Sequence, residues 1–229
     1  MKIGALQKFS LIDYPGKVCA IIFTIGCNFR CGYCHNPELV NPEQFPEPIT
    51  EKSFFSFLQN RKGKLEAITI TGGEPTLQPD LIRFLKQVKR YDYLVKLDTN
   101  GTNPEMIQQA LKNKLVDYIA MDVKGPLNRY QEIVNITMNT NTIKKSISLI
   151  MNSGIEYEFR TTITKPQIGT KDIIEIGKLI KGAKLFALQK FIPTKTNDPA
   201  FLEAATYTDQ EFALLQEIAI KYVQKCIVR

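Results

Sequence analysis

Three cysteines fall within eight residues, Cys27-Asn28-Phe29-Arg30-Cys31-Gly32-Tyr33-Cys34, at the spacing C-x3-C-x2-C. Thiolates this close on one loop can turn toward a single metal centre, and a 4Fe-4S cluster normally takes one cysteine per iron. Three ligands would leave the fourth iron open to bind a substrate, which separates a catalytic cluster from an electron carrier. A zinc site built from Cys27, Cys31, Cys34 and His35 is the alternative. Structural zinc prefers two separated ligand pairs, and adjacent Cys34 and His35 strain a tetrahedral shell. Disulfides are not expected. The cysteine count is five, an odd number, and Met1-Lys2-Ile3-Gly4 shows no basic segment leading into an apolar run and cleavage site. Cys19 and Cys226 read as core packing.

Composition narrows the class. At 229 residues, 44% hydrophobic and 23% charged, the chain has the make-up of an ordinary globular protein, with one substantial core and one domain expected. Its longest apolar stretch, Val18 to Ile25, is far too short to span a bilayer, so a cytoplasmic protein without a membrane partner is expected. The net charge of +7 is scattered rather than blocked. It suits a solvated surface and an acidic protein partner, whereas no nucleic-acid-binding motif or basic stripe interleaved with aromatics is present.

The elements that must position the cysteines follow from the apolar pattern. Phe9-Ser10-Leu11-Ile12 and Tyr14-Pro15-Gly16-Lys17 predict a hairpin-like entry, with Pro and Gly where a type II turn wants them. Val18–Ile25 reads as a strand buried on both faces, and its end delivers Cys27. Prolines 37, 42, 46 and 48 predict an irregular loop up to Thr50, the N-cap of a helix carrying Phe54, Phe55 and Leu58. Five further strands are predicted: Leu65–Thr71, Tyr93–Asp98, Val116–Val123, Glu156–Thr164 and Lys184–Ile192. Helices alternate with them. One opens at Pro79-Asp80, one is capped by Asn103 with Pro104 at its first position, one spans Thr142–Asn152 before Gly154, and one spans Lys171–Lys181 with Thr170 as cap. The last follows the capping box Thr208-Asp209-Gln210-Glu211. Residues 125–138 yield no clear assignment. Strands alternating with helices imply a parallel sheet wrapped by helices, and the length suits six units rather than eight. The expected fold is α/β, an open partial (β/α)6 barrel.

In such folds ligands sit beyond the carboxyl ends of the strands. The polar oddities of the chain fall there: Cys27 after the first strand, Gly72-Gly73-Glu74 after the second, Asp98-Thr99-Asn100 at the third, Asp122 and Lys124 at the fourth. The fifth adds Arg160. Asp122 and Lys124 share a strand face, as do Glu158 and Arg160, because side chains two apart point the same way; for the second couple a surface ion pair is the alternative to a functional role.

The cysteine spacing with an aromatic before the last cysteine resembles the signature of the radical S-adenosylmethionine (SAM) superfamily. That resemblance implies a 4Fe-4S cluster on Cys27, Cys31 and Cys34, with SAM as cofactor. It puts Tyr33 at the aromatic whose neighbouring backbone meets the adenine, beside His35, and Gly72, Gly73 and Glu74 at the segment that receives the methionine amino group. Leu97-Asp98-Thr99-Asn100-Gly101 and Met121-Asp122-Val123-Lys124 are similar to strand ends of pyruvate formate-lyase activating enzymes. By that similarity Asp98, Thr99 and Asp122 would hold a monovalent cation, and Val123 and Lys124 would stand at SAM, Lys124 at its carboxylate. Arg160 joins these as a candidate. The segments Ser10–Gly16 and Tyr33–Leu39 most resemble activating proteins of anaerobic ribonucleoside-triphosphate reductases.

The resemblance therefore implies an oxidoreductase that cleaves SAM and leaves a glycyl radical on a partner enzyme. Two features depart from it. The histidine that formate-lyase activating enzymes carry near their sixth strand is absent, with Gln189 in its region. Additional cysteine groups are also absent, so a separate flavodoxin or ferredoxin is expected to deliver the electron. A radical SAM enzyme acting on a small molecule and a non-catalytic iron-sulfur or zinc protein are the alternatives.

Overall fold

A computed structural model describes residues 1–229 and groups them into two compact units, Met1–Asn28 with Glu38–Ile119, and Phe29–Pro37 with Ala120–Arg229. In the first unit strand β1 (Ile3–Ser10) runs antiparallel to β2 (Cys19–Thr24), which pairs in parallel with β3 (Ala67–Gly72), itself parallel to β4 (Leu94–Thr99). The expected hairpin is present. Its turn closes through the Lys17 N–H donating to the Tyr14 carbonyl at 3.2 Å, with Gly16 at φ +69°, and Phe9, Leu11 and Ile12 stand exposed at its tip. Helix α1 (Glu51–Asn60) is capped by the Thr50 hydroxyl, which accepts from the Ser53 N–H. Its Phe54, Phe55 and Leu58 are buried, as their spacing requires.

Helix α2 (Leu81–Lys89) buries Leu81, Phe84, Leu85 and Val88, and α3 (Pro104–Lys112) is capped by Asn103. Strand β5 (Tyr118–Asp122) carries the chain from the first unit into the second.

In the second unit the stretch without a clear assignment contains a short helix, α4 (Tyr130–Val134), ended by Asn135 in the left-handed conformation. After it come α5 (Asn141–Met151), β6 (Glu156–Ile163), α6 (Thr170–Leu179), β7 (Phe186–Lys190), α7 (Asp209–Ala219) and β8 (Cys226–Val228). Strands β6, β7 and β8 lie side by side in parallel. The six strands foreseen are β2 to β7, and the fold class is α/β with alternating strands and helices, as a partial (β/α) barrel requires.

One local expectation needs correction, one strand was not foreseen, and one alternative is set aside. Thr170 begins α6 rather than capping it; the preceding Gly169 N–H donates to the Asp172 carboxylate at 2.8 Å. Strand β8 was not foreseen, because three residues carry too little pattern to stand out, and Cys226 packs within it. Glu158 and Arg160 do not form a surface pair. Glu158 is fully buried and receives both arms of the Arg229 guanidinium at 2.9 and 2.7 Å, while Arg160 turns to Asp122.

Candidate active site

In the first unit the strand ends are welded together by glycines and one carboxylate. Gly26, at φ +96°, donates its N–H to Leu39, while its carbonyl accepts the Glu74 N–H at 2.8 Å. Gly72, at φ +113°, leaves no room for a side chain, since a Cβ there would stand 2.2 Å from the Thr24 nitrogen. A Cβ on Gly73 would stand 2.1 Å from the Gly26 carbonyl oxygen. The pair is thus glycine because two backbones touch, and the loop it touches is the one that leads into Cys27.

Glu74, which the resemblance set at the amino group of SAM, turns its carboxylate inward. It is 1% exposed. Oε1 accepts from the Thr76 N–H at 3.0 Å and from the Thr76 and Thr99 hydroxyls at 2.5 and 2.8 Å; Oε2 accepts from the Asn100 N–H at 2.6 Å. Burial pushes its pKa up against these donors. The carboxylate therefore ties the turn after β3 to the turn after β4. Asn100 continues the tie, its amide donating to the Asn28 side chain at 2.9 Å, next to Cys27. Sequence reasoning missed Asn28 and Thr76, and the hydrogen-bonding types immediately flanking Cys27 and Glu74 were the available signal. Asp98 accepts from the Lys96 ammonium in β4.

In the second unit Cys31 and Cys34 lie on a tight turn, with the Cys34 N–H donating to the Cys31 carbonyl at 3.2 Å. Cys31 is buried and Cys34 partly exposed. Burial raises the Cys31 thiol to about 11, although the Lys124 ammonium draws it down. The turn is roofed by the segment after β7. The Asp198 N–H donates to the Gly32 carbonyl at 2.9 Å, and a Cβ on Gly32 would strike the Phe201 ring at 2.5 Å. Tyr33 is buried with its ring edge-on to Phe191 and Phe201, and the His35 ring lies 5.5 Å from that of Phe191. The Tyr33 hydroxyl is buried without a hydrogen-bond partner, and its polar neighbours include Cys31 and Lys124.

The end of β5 supplies the charge of this unit. Asp122 accepts from Lys124 Nζ at 3.0 Å and from Arg160 Nε at 2.8 Å. Burial alone would push its carboxyl up, but the two cations outweigh it and hold it well below the usual carboxylate range. Burial works against the Lys124 ammonium as well, and Asp122 reverses it, so Lys124 stays charged far above its ordinary pKa. Its Nζ stands 5.8 Å from the Tyr33 ring centroid, and its backbone N–H donates to the Tyr130 hydroxyl at 3.2 Å. Val123 is core: its side chain is fully buried, its N–H goes to the Arg160 carbonyl and its carbonyl accepts the Thr161 hydroxyl. Gln189 sits partly exposed in β7, opposite Thr162 of β6. The second unit thus unites Cys31, Cys34, Tyr33 and Lys124.

The radical SAM superfamily matches this chain over residues 21–180, and the chain belongs to that superfamily. It is 36% identical, over 99% of this chain and 95% of the other, to a provisionally assigned glycyl-radical enzyme activating enzyme of Methanocaldococcus jannaschii. A second such protein of the same organism is 30% identical over 96% of this chain and 83% of its own length. These likenesses set the chain within the glycyl-radical enzyme activating family of that superfamily. Among solved structures, a domain of a pyruvate-formate lyase-activating enzyme from Bacteroides vulgatus superposes with a TM-score of 0.58 at 17% identity, covering 72% of this chain and all but 1% of the other, a likeness of fold.

Membership implies a 4Fe-4S cluster and SAM; of the three cysteines of the loop, the second unit holds Cys31 and Cys34 on one turn, with Cys31 beside a buried ammonium.

Proposed function

We propose that this protein is a glycyl-radical enzyme activating enzyme that binds a 4Fe-4S cluster through Cys27, Cys31 and Cys34 and reductively cleaves SAM. The observation that carries the reading is the three-cysteine loop within a chain alike, over nearly its whole length, to a relative given that role. The chemistry such a cluster supplies when bound is one-electron reduction of the SAM sulfonium, which releases methionine and a 5′-deoxyadenosyl radical. The protein's own residues bind, orient and shield. Lys124, kept charged by Asp122, offers a cation to the SAM carboxylate. The glycine pair offers backbone to the methionine end, and Glu74 holds the turn that presents it. Tyr33, Phe191 and Phe201 keep water from the cysteine turn.

The partner we propose is an anaerobic ribonucleoside-triphosphate reductase, on the likeness of Ser10–Gly16 and Tyr33–Leu39. The electron donor is an acidic flavodoxin or ferredoxin, which a chain of net charge +7 attracts. The test is anaerobic reconstitution with iron and sulfide, reduction, and addition of SAM and the candidate reductase. A glycine-centred radical signal is expected, lost when the acceptor glycine is replaced by Ala in the partner. About four irons should bind and be lost when Cys27, Cys31 or Cys34 becomes Ala, but kept in Cys19→Ala. SAM cleavage that responds to a small molecule and to no glycyl radical enzyme would replace this reading with a small-molecule enzyme.

A further inference from the structure

The Tyr33 side chain is 4% exposed, and its hydroxyl meets no hydrogen-bond partner. A tyrosine buried this deeply ordinarily finds a partner for its O–H. A hydroxyl that has given up water without one is a net cost, so the arrangement asks for a reason. The Phe191 and Phe201 rings that meet Tyr33 edge-on have no acceptor atom to offer. Its polar neighbours in this unit are Lys124, Cys31, Asp122 and Tyr130. The Lys124 ammonium, 5.8 Å from the ring centroid, can only donate. The Asp122 carboxylate is engaged by Lys124 and Arg160, and the Tyr130 hydroxyl by the Lys124 N–H. That leaves Cys31, two residues back on the turn that the Cys34 N–H closes. As a neutral thiol its sulfur is a weak acceptor, whereas as a metal ligand it is a thiolate and a strong one.

We infer that the Tyr33 hydroxyl is a donor reserved for the Cys31 sulfur: it hydrogen-bonds that sulfur once a metal centre has replaced the thiol proton, and so makes the centre easier to reduce. The inference rests on the proposed 4Fe-4S assignment and adds to it a residue that sets the reduction potential. Reduction places negative charge on a cluster and its sulfurs. A donor aimed at a ligand sulfur favours the reduced state, the more so where apolar rings keep water away. The Lys124 ammonium beside Cys31 acts in the same sense. The hydroxyl is not itself a ligand; its effect on the potential passes through Cys31.

Two measurements compare the native protein with Tyr33→Phe, which keeps the ring. The first uses the metal-free proteins. A hydroxyl without a partner stabilises nothing, so the thermal midpoint of Tyr33→Phe should equal or exceed the native one. A fall of several degrees would show the hydroxyl already bonded and overturn the inference. The second is a redox titration of the anaerobically reconstituted proteins followed by electron paramagnetic resonance. At a given ambient potential the ratio of reduced to oxidised cluster should be roughly tenfold lower in Tyr33→Phe, a shift of about 59 mV to more negative potential for one electron. Equal potentials overturn the tuning role and leave the proposed function standing. If Tyr33→Phe fails to hold a cluster, a tyrosine fluorinated beside its hydroxyl, a stronger donor of nearly the same shape, is incorporated at position 33. The potential should then rise, and a value unmoved or lowered overturns the inference. A native chain that binds no iron overturns the proposed function itself, and the tuning role with it.

Discussion

The α-carbon of Gly73 faces the carbonyl oxygen of Gly26 so closely that a methyl group on it would lie 2.1 Å from that oxygen. Both partners are backbone, so neither can yield as a flexible side chain would. Gly73→Ala should therefore separate the turn after β3 from the loop entering Cys27, at a cost of roughly 1–3 kcal/mol. Urea denaturation checks the cost, and calorimetry should show weaker SAM binding by the reconstituted variant. An unchanged midpoint would mean the two turns part freely.

Glu74→Ala removes the acceptor for four groups on two turns. Each buried donor left unpaired costs ~1–3 kcal/mol, and the Asn100 amide, held at 2.6 Å in the native chain, should lose its protection. Hydrogen exchange read at Asn100 distinguishes this from a global loss. If Asn100 stays protected while overall stability falls, the carboxylate is not the tie.

Asp122→Asn removes the carboxylate charge to which Lys124 and Arg160 both donate, two cations that are largely buried. Stability should fall by about 3 kcal/mol. Arg160→Leu in that background should recover part of the loss, giving a coupling of roughly 1 kcal/mol or more in a double-mutant cycle. Additive effects in the denaturation midpoints would contradict the three-charge arrangement.

Burial raises the Cys226 thiol from 9.0 to about 11. A folded state that holds this proton more tightly than the unfolded chain draws stability from it that is fully present below pH 9. That stability is lost as pH rises toward 11, by roughly 2–3 kcal/mol. Between those values the native chain should lose more stability than Cys226→Ala, read as thermal midpoints across pH. Parallel curves for the two proteins would show that Cys226 titrates normally.

The alternation of strands and helices was legible because each element carries its own period and caps. Thr50, Asn103 and Thr208 all cap as their spacing with the following helix foretold. Partnerships were less legible. Asp122 and Lys124, two apart on one strand, do meet. The same rule offered Glu158 to Arg160, but a neighbour two strands away took it: Arg229, 71 residues along the chain. Spacing along one strand says which side chains share a face, not which element packs against that face. Lys96 escaped notice for the same reason. In Leu94-Val95-Lys96-Leu97 it resembles the solvent side of an alternating strand, yet a parallel strand of such a fold is covered on both faces, and Lys96 is buried. The glycines at 72 and 73 were visible as a motif, yet their close neighbours, Thr24 and Gly26, belong to a strand end that no local pattern connects with them.

The roof over the cysteine turn, formed by Asp198 and Phe201 against Gly32, sets an order in time. Under the proposed cluster assignment, iron and sulfide would have to reach the buried Cys31 past residues 191–202, so loading would precede closure. The tempo of maturation then belongs to a segment that supplies no ligand: an uptake rate governed by opening would saturate as iron concentration rises, and Phe201→Ala would quicken it without altering how much iron is finally held.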